Sequence, residues 1–222
     1  MTFSLDLPGG PLSDAVLTLV YDTESLAIAN HSVRSFLFAQ LLAIHEGCLD
    51  DAEYDRELLF AATVMHDLGA GALAHGEGRF EVEGADLAAA LLHEHGVAAA
   101  DVDRVWEAIA LHTSPGIAER RGLLTYLTRA GVGVDFGRNA DVVMAWEQKI
   151  HAAYPRLDMV RTLTDAIVER AARTPAAAPP YTIGGELLRE RRSGGVTSLE
   201  LDAASSVWGD QRGPNSPLSK RC

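Results

Sequence analysis

The run Leu58-Leu59-Phe60-Ala61-Ala62-Thr63-Val64-Met65-His66-Asp67-Leu68-Gly69 sets an imidazole and a carboxylate side by side at the end of a nearly all-apolar stretch, with a glycine two residues on. An apolar run of that length predicts a helix, and a helix with no polar face belongs in a core. The two polar side chains at its end go in with it. Burying a carboxylate beside an imidazole costs several kcal/mol unless something satisfies both. A divalent metal does so, because neutral imidazole and ionised carboxylate are both good ligands. A closed His–Asp hydrogen bond is the other solution.

The rest of the chain supplies helices to enclose the pair. Apolar residues recur every three or four positions from Asp22 through Ile44, with Gly47 as the stop. Helices are predicted over 51–68, 83–95, 101–112, 123–134, 139–153 and 157–173, and no two-residue turn joins alternating strands. The fold reads as an all-α helical bundle in a single domain. Residues 1–21 read as an irregular N-terminal segment, 22–173 as the metal-binding helical domain, and 174–222 as a partly disordered extension that opens on Thr-Pro-Ala-Ala-Ala-Pro-Pro. The glycine-rich stretch 69–78 reads as a flexible loop, a candidate lid, and lacks the Gly-Lys-Ser/Thr ending of a phosphate-binding loop.

Composition narrows the partners. A net charge of −12 excludes nucleic acid and anionic membranes as partners, since both reward basic surfaces. No apolar run approaches the ~20 residues of a membrane helix. Cys48 and Cys222 make no disulfide framework, and the first ten residues carry no secretory signal, so the expectation is a cytoplasmic protein acting on a small molecule. A homodimer is compatible with the helical composition.

Four residues beside apparently buried positions can close around one ion: His31 near the start of the first long helix, the His66-Asp67 pair, and Asp135 after the apolar segment 123–134. Such a set leaves positions open for water. His31 can instead bond a neighbouring carboxylate, and Asp135 can cap the following helix.

The order His…His-Asp…Asp resembles the HD superfamily, over roughly residues 22 to 150. The resemblance implies that His31, His66, Asp67 and Asp135 bind a divalent metal within a helical bundle. The wording of Asn30-His31-Ser32-Val33-Arg34-Ser35-Phe36, His66-Asp67-Leu68-Gly69, Phe80-Glu81-Val82-Glu83-Gly84-Ala85 and Ala110-Leu111-His112-Thr113-Ser114 is similar to the cyanamide hydratase-like branch, whose named members are zinc enzymes that add water to cyanamide. Two-metal relatives carry a histidine about four residues before a Gly-Ala pair. Phe80 stands there in this chain, so one metal is expected.

Four more residues are candidates for substrate binding. They are Asn30, Arg34 one turn after His31, Phe80, and His112, which alternatively ends its helix where the dipole favours a cation. Asp67, His112 and Glu83 are candidates for the catalytic steps, with Asp135 or Glu83 moving the proton and His112 or the metal steadying developing charge. Glu83 equally suits a helix N-terminus. Zn²⁺ is the expected ion, and Fe²⁺, Mn²⁺ or Co²⁺ also suit two His with carboxylates. The leading reading is a metal-dependent hydrolase or hydratase acting on a small nitrile-like or amide-like substrate. The alternatives are a phosphohydrolase for a nucleoside monophosphate, whose phosphate would fall to Arg34, Arg79 or Arg138 because Lys149 and Lys220 are the only lysines, and a non-catalytic metal-containing binding protein.

Overall fold

The computed structural model describes residues 3–209, and among them every regular element is helical. The α-helices are α1 (Pro11–Thr23), α2 (Leu26–His45), α3 (Arg56–Val64), α4 (Phe80–Glu94), α5 (Ala99–Leu111), α6 (Leu123–Asp135), α7 (Glu147–Ala153), α8 (Met159–Ala171), α9 (Ile183–Gly194) and α10 (Ser198–Ser205). No helix among the described residues is long and apolar enough to cross a membrane.

The bundle is built around α2. Ser25 caps it, accepting a hydrogen bond from the Ile28 amide, and every residue from Ala27 to Ala43 is buried. A helix enclosed on all sides needs a partner that approaches closely. α6 provides it at Gly131, where an added Cβ would sit 2.3 Å from the Ser35 carbonyl oxygen. The two helices run antiparallel, so one turn beyond the Ser35–Gly131 contact His31 meets Asp135. Close packing of two backbones thus places two ionisable side chains together inside the core.

α3 begins at Asp55, whose carboxylate accepts from the Glu57 and Leu58 amides, and it ends at Val64. Its first helical residue, Arg56, falls five residues after the expected boundary, because Asp51 turns back on the Glu53 amide instead. The chain then passes through His66-Asp67 into a 3-10 turn, Leu68–Ala70. Gly69 lies against the start of α4 so closely that a Cβ there would be 1.8 Å from the Phe80 carbonyl oxygen, and one on Gly84 would be 2.8 Å from the Gly69 amide. The His-Asp turn is therefore clamped on the N-terminal turn of α4.

Three sequence expectations are corrected. Residues 11–21, expected to be irregular, belong to α1; Pro11 suits a first helical turn, and Val16 and Val20, one turn apart, are fully buried. The expected helix 139–153 is broken into a 3-10 turn, Ala140–Val143, and α7, after Asn139 enters the left-handed region at φ 50°. The C-terminal extension carries α9, capped by Thr182, and α10, capped by the reciprocal Thr197–Glu200 pair. Trp208 is buried, donating from Nε1 to the Val134 carbonyl at 2.7 Å and lying parallel to Phe38. The part of the expected disorder that falls on residues 210–222 lies outside the described residues.

Two apolar clusters result. The larger joins α1 to α6. The smaller gathers Ala27, Ile28, Ala70 and Phe80 with Met159, Leu163 and Ile167 of α8 and Leu187 of α9. The His-Asp turn sits at the seam between them.

Candidate metal centre

Three ligand atoms converge at that seam. His31 Nε2 lies 3.7 Å and His66 Nε2 3.1 Å from Asp67 Oδ2. All three atoms are buried and none has a hydrogen-bond partner. Each of the three offers one ligand atom within 4.8 Å of the others, and they form the one such His/Cys/Asp/Glu group among the described residues. Buried polar atoms without partners are rare and costly. Three of them aimed at one point fit a cation.

The backbone and its neighbours fix which nitrogen each ring presents. His66 Nδ1 donates to the Thr63 carbonyl at 2.7 Å, and His112 Nδ1 donates to the Ile109 carbonyl at 2.6 Å. His31 Nδ1 donates to Asp135 Oδ2 at 2.6 Å. Every Nε2 lone pair is thereby left facing the centre, the arrangement in which an outer hydrogen bond orients a metal-binding imidazole. His112 Nε2 stands 3.8 Å from Asp67 Oδ1, and the His66 and His112 rings meet edge-on at 4.9 Å.

Electrostatics prepare the same site. Burial penalises the Asp67 carboxylate, yet the His66, His31 and His112 imidazoles outweigh it and hold the carboxyl below the usual range. Burial drives His31 down despite Asp135. Burial, reinforced by the His66 imidazole, pushes His112 down to about 4. His66 moves the other way: burial lowers it, but Asp67 alongside raises it further. A cation at the centre would take the electron pair that such a proton uses.

Asp135 stands one layer out. Its Oδ1 accepts from Arg34 Nε at 2.9 Å and Arg156 Nη1 at 2.5 Å, and its Oδ2 from Arg34 Nη2 and His31 Nδ1, both at 2.6 Å. Four hydrogen bonds fill a carboxylate's four acceptor sites, and the carboxylate lies on the Nδ1 side of His31, away from the centre. The structure therefore does not bring Asp135 into the cluster as a ligand; it sets the orientation of His31. Burial raises its pKa, but Arg34 and Arg156 overcome this and hold it well below the ordinary carboxylate range.

Three other candidates are corrected on the same grounds. Arg34 is fully buried and also donates to the Tyr154 and Pro155 carbonyls, so it faces Asp135 and not the cavity. Asn30 donates from Nδ2 to the Pro155 carbonyl at 3.0 Å, which ties α2 to that loop. Glu83 accepts from the Gly76, Glu77 and Gly78 amides at 2.9, 2.6 and 2.6 Å and braces the glycine loop instead of facing the metal residues. That loop is further held by Arg170 on the Gly71 carbonyl, Arg173 on the His75 carbonyl and Thr174 on the Gly76 carbonyl. None of residues 69–78 lines the cavity, contrary to the expected lid.

The cavity above the cluster measures about 160 Å³. His31, His66, Asp67 and His112 form its floor, with the Phe80 ring edge-on to His112 at 5.8 Å. Thr113, Arg129 and Arg138 are its other polar lining residues. Several residues at or behind the site lacked a readable signal. Glu81 is buried and accepts from Thr113 Oγ1 at 2.6 Å and Arg79 Nη2 at 2.8 Å. Arg156 and His151 flank Asp135, and His151 packs against Phe38 and Trp208.

No curated protein matches this chain. A family model described as HD domain matches residues 28–171, which runs from the start of α2 to the end of α8 and takes in both members of the doublet, His31, His112 and Asp135. HD domains are generally metal-dependent hydrolases, and the converging imidazoles and carboxylate form a group that could hold a metal ion. By this match over most of its length, the chain belongs to the HD domain family.

Proposed function

We propose that this protein is a mononuclear metal-dependent hydrolase or hydratase that adds water to an electrophilic carbon in a small neutral nitrile-like or amide-like molecule, as in the cyanamide hydratase-like branch it resembles. One observation carries the reading: three unpartnered buried ligand atoms meet at the floor of a small, mainly apolar cavity. Two imidazoles and a carboxylate with room for further ligands suit a catalytic Zn²⁺, and also Fe²⁺, Mn²⁺ or Co²⁺. Phe80, where two-metal relatives place a histidine, offers no ligand atom, which supports one ion.

A divalent ion in that position supplies Lewis-acid chemistry, polarising a substrate atom and bringing the pKa of water from about 15.7 toward about 7. The side chains do the rest. His31, His66 and Asp67 hold the ion at the cavity floor. Neutral His112, its Nδ1–H committed to the Ile109 carbonyl, presents an acceptor at Nε2. It orients a water by accepting its hydrogen bond, and it takes up the proton at that nitrogen as the water attacks.

The phosphohydrolase alternative loses two of its three candidate cations. Arg34 is bonded to Asp135 and Arg79 to Glu81, which leaves Arg138 in the cavity lining together with Arg129, itself paired with Glu119. The test is turnover by Zn²⁺-loaded protein of cyanamide, small amides and nitriles, and nucleoside monophosphates, with and without chelator. Chelator-sensitive formation of urea from cyanamide, or hydration or hydrolysis of another small nitrile or amide, is expected. Release of phosphate alone, or tight metal retention with no turnover, would overturn the reading.

A further inference from the structure

The match to the family ends at Ala171, but the cavity does not. Its walls include Val132 and Phe136 of the α6 region, Leu163 and Ile167 of α8, and two residues from beyond the match, Ile183 and Leu199. Ile183 is the first residue of α9, and Leu199 lies in the first turn of α10. Both helices are anchored. Arg191 on α9 bonds Asp165 of α8 at 2.6 Å and Glu200 of α10 at 3.0 Å, and Thr197 and Glu200 cap α10 reciprocally. Ile183 and Leu199, both partly buried, thus form an anchored part of the wall, its roof.

We propose that this roof selects a substrate whose whole enclosed body, reacting group included, is compact and of about six heavy atoms, with Ile183 and Leu199 setting its length limit. The size follows from the volume. Cavities of about 150 Å³ lined by Leu, Ile and Phe hold one benzene molecule, and this one measures about 160 Å³. Cyanamide would touch the floor and leave the walls empty. A nucleoside monophosphate is far too large to be enclosed. A short aliphatic nitrile or amide places its polar group at His112 and the metal residues and its hydrocarbon against the six wall residues. The location of the reacting group rests on the proposed function; the length limit does not.

The probe is a series of straight-chain hydroxamates, from acetyl to decanoyl, titrated calorimetrically into the full Zn²⁺-loaded chain. Affinity is expected to rise about fourfold per added methylene, the value of burying one such group, up to about butanoyl, and then to fall. Leu199→Ala and Ile183→Ala move the optimum to longer chains by one or two carbons. Leu199→Phe moves it shorter. A flat profile, an optimum that stays put in all three variants, or failure of every hydroxamate to bind metal-loaded protein would overturn the proposal. A moving optimum with no turnover of any amide or nitrile removes only the proposed reaction. Turnover of cyanamide with a flat profile removes only the roof.

Discussion

Asp135→Asn separates a residue that orients a ligand from one that is a ligand. The native carboxylate balances two guanidinium groups, Arg34 at 0% and Arg156 at 5% exposure. Neutralising it leaves both cations buried without a counter-charge, a loss of about 3–5 kcal/mol. The asparagine oxygen still accepts one bond, and Arg34 keeps the Tyr154 and Pro155 carbonyls, so the lower half of that range is expected. At about 2–4 °C per kcal/mol for a chain of this size, the melting temperature falls by about 6–16 °C. Metal affinity falls about 10–100-fold, as for loss of an outer partner, with one ion still bound per chain. Thermal melts and calorimetric metal titration read both numbers. The pH dependence has a definite sign. Asp135 is held below the ordinary carboxylate pKa of about 3.9, so the unfolded chain takes up its proton before the native one does. Its contribution is complete above that pH and is lost as pH falls toward the native value, and the variant lacks this part of the acid limb. A variant as stable as the parent that binds no metal would make Asp135 a ligand and refute the assignment.

Two other perturbations probe the supports of the site. Gly69→Ala drives a methyl group into the Phe80 carbonyl, which as main chain has nowhere to go, and about 3 kcal/mol or more of stability is expected to be lost together with metal binding; a melting temperature within about 2 °C of the parent would show that the clamp between the His-Asp turn and α4 is loose. Glu83→Gln is expected to leave turnover unchanged while limited proteolysis and amide exchange accelerate across residues 75–79, and the parent's own loop loosens as pH drops, because its amide bonds hold the Glu83 carboxyl below its ordinary pKa and that stabilisation fades as the group takes up a proton. A large fall in turnover with the loop still protected would return Glu83 to the reaction.

The helices that read clearly from the sequence were those whose periodicity served one face or one core. α2, α5, α6 and α8 appear within a few residues of where their apolar spacing puts them. Boundaries failed where a local polar bond competes with the apolar pattern, as at Asp51 and Asn139. α10 failed differently. Its Thr-x-x-Glu start at Thr197 and Glu200 was present in the sequence, but only a short, weakly apolar stretch follows it, so packing against α8 and the burial of Trp208 supply what the pattern lacks.

The site divides along the same line between local and tertiary information. His66, Asp67 and the glycine after them form one continuous turn, and their buried convergence follows from a single apolar run. His31 and Asp135 meet in space because each lies one turn from the close approach of α2 to α6 at Gly131. Whether a carboxylate meets the ion or the far side of an imidazole is set by the other groups competing for it. Arg34 held that information: three residues after His31 on the same helix, its guanidinium covers the side from which a carboxylate reaches His31 Nδ1. A carboxylate captured there is held by a bidentate ion pair. Arg156 strengthens the capture from a loop 21 residues further along, a contact that no periodicity or spacing in the sequence encodes.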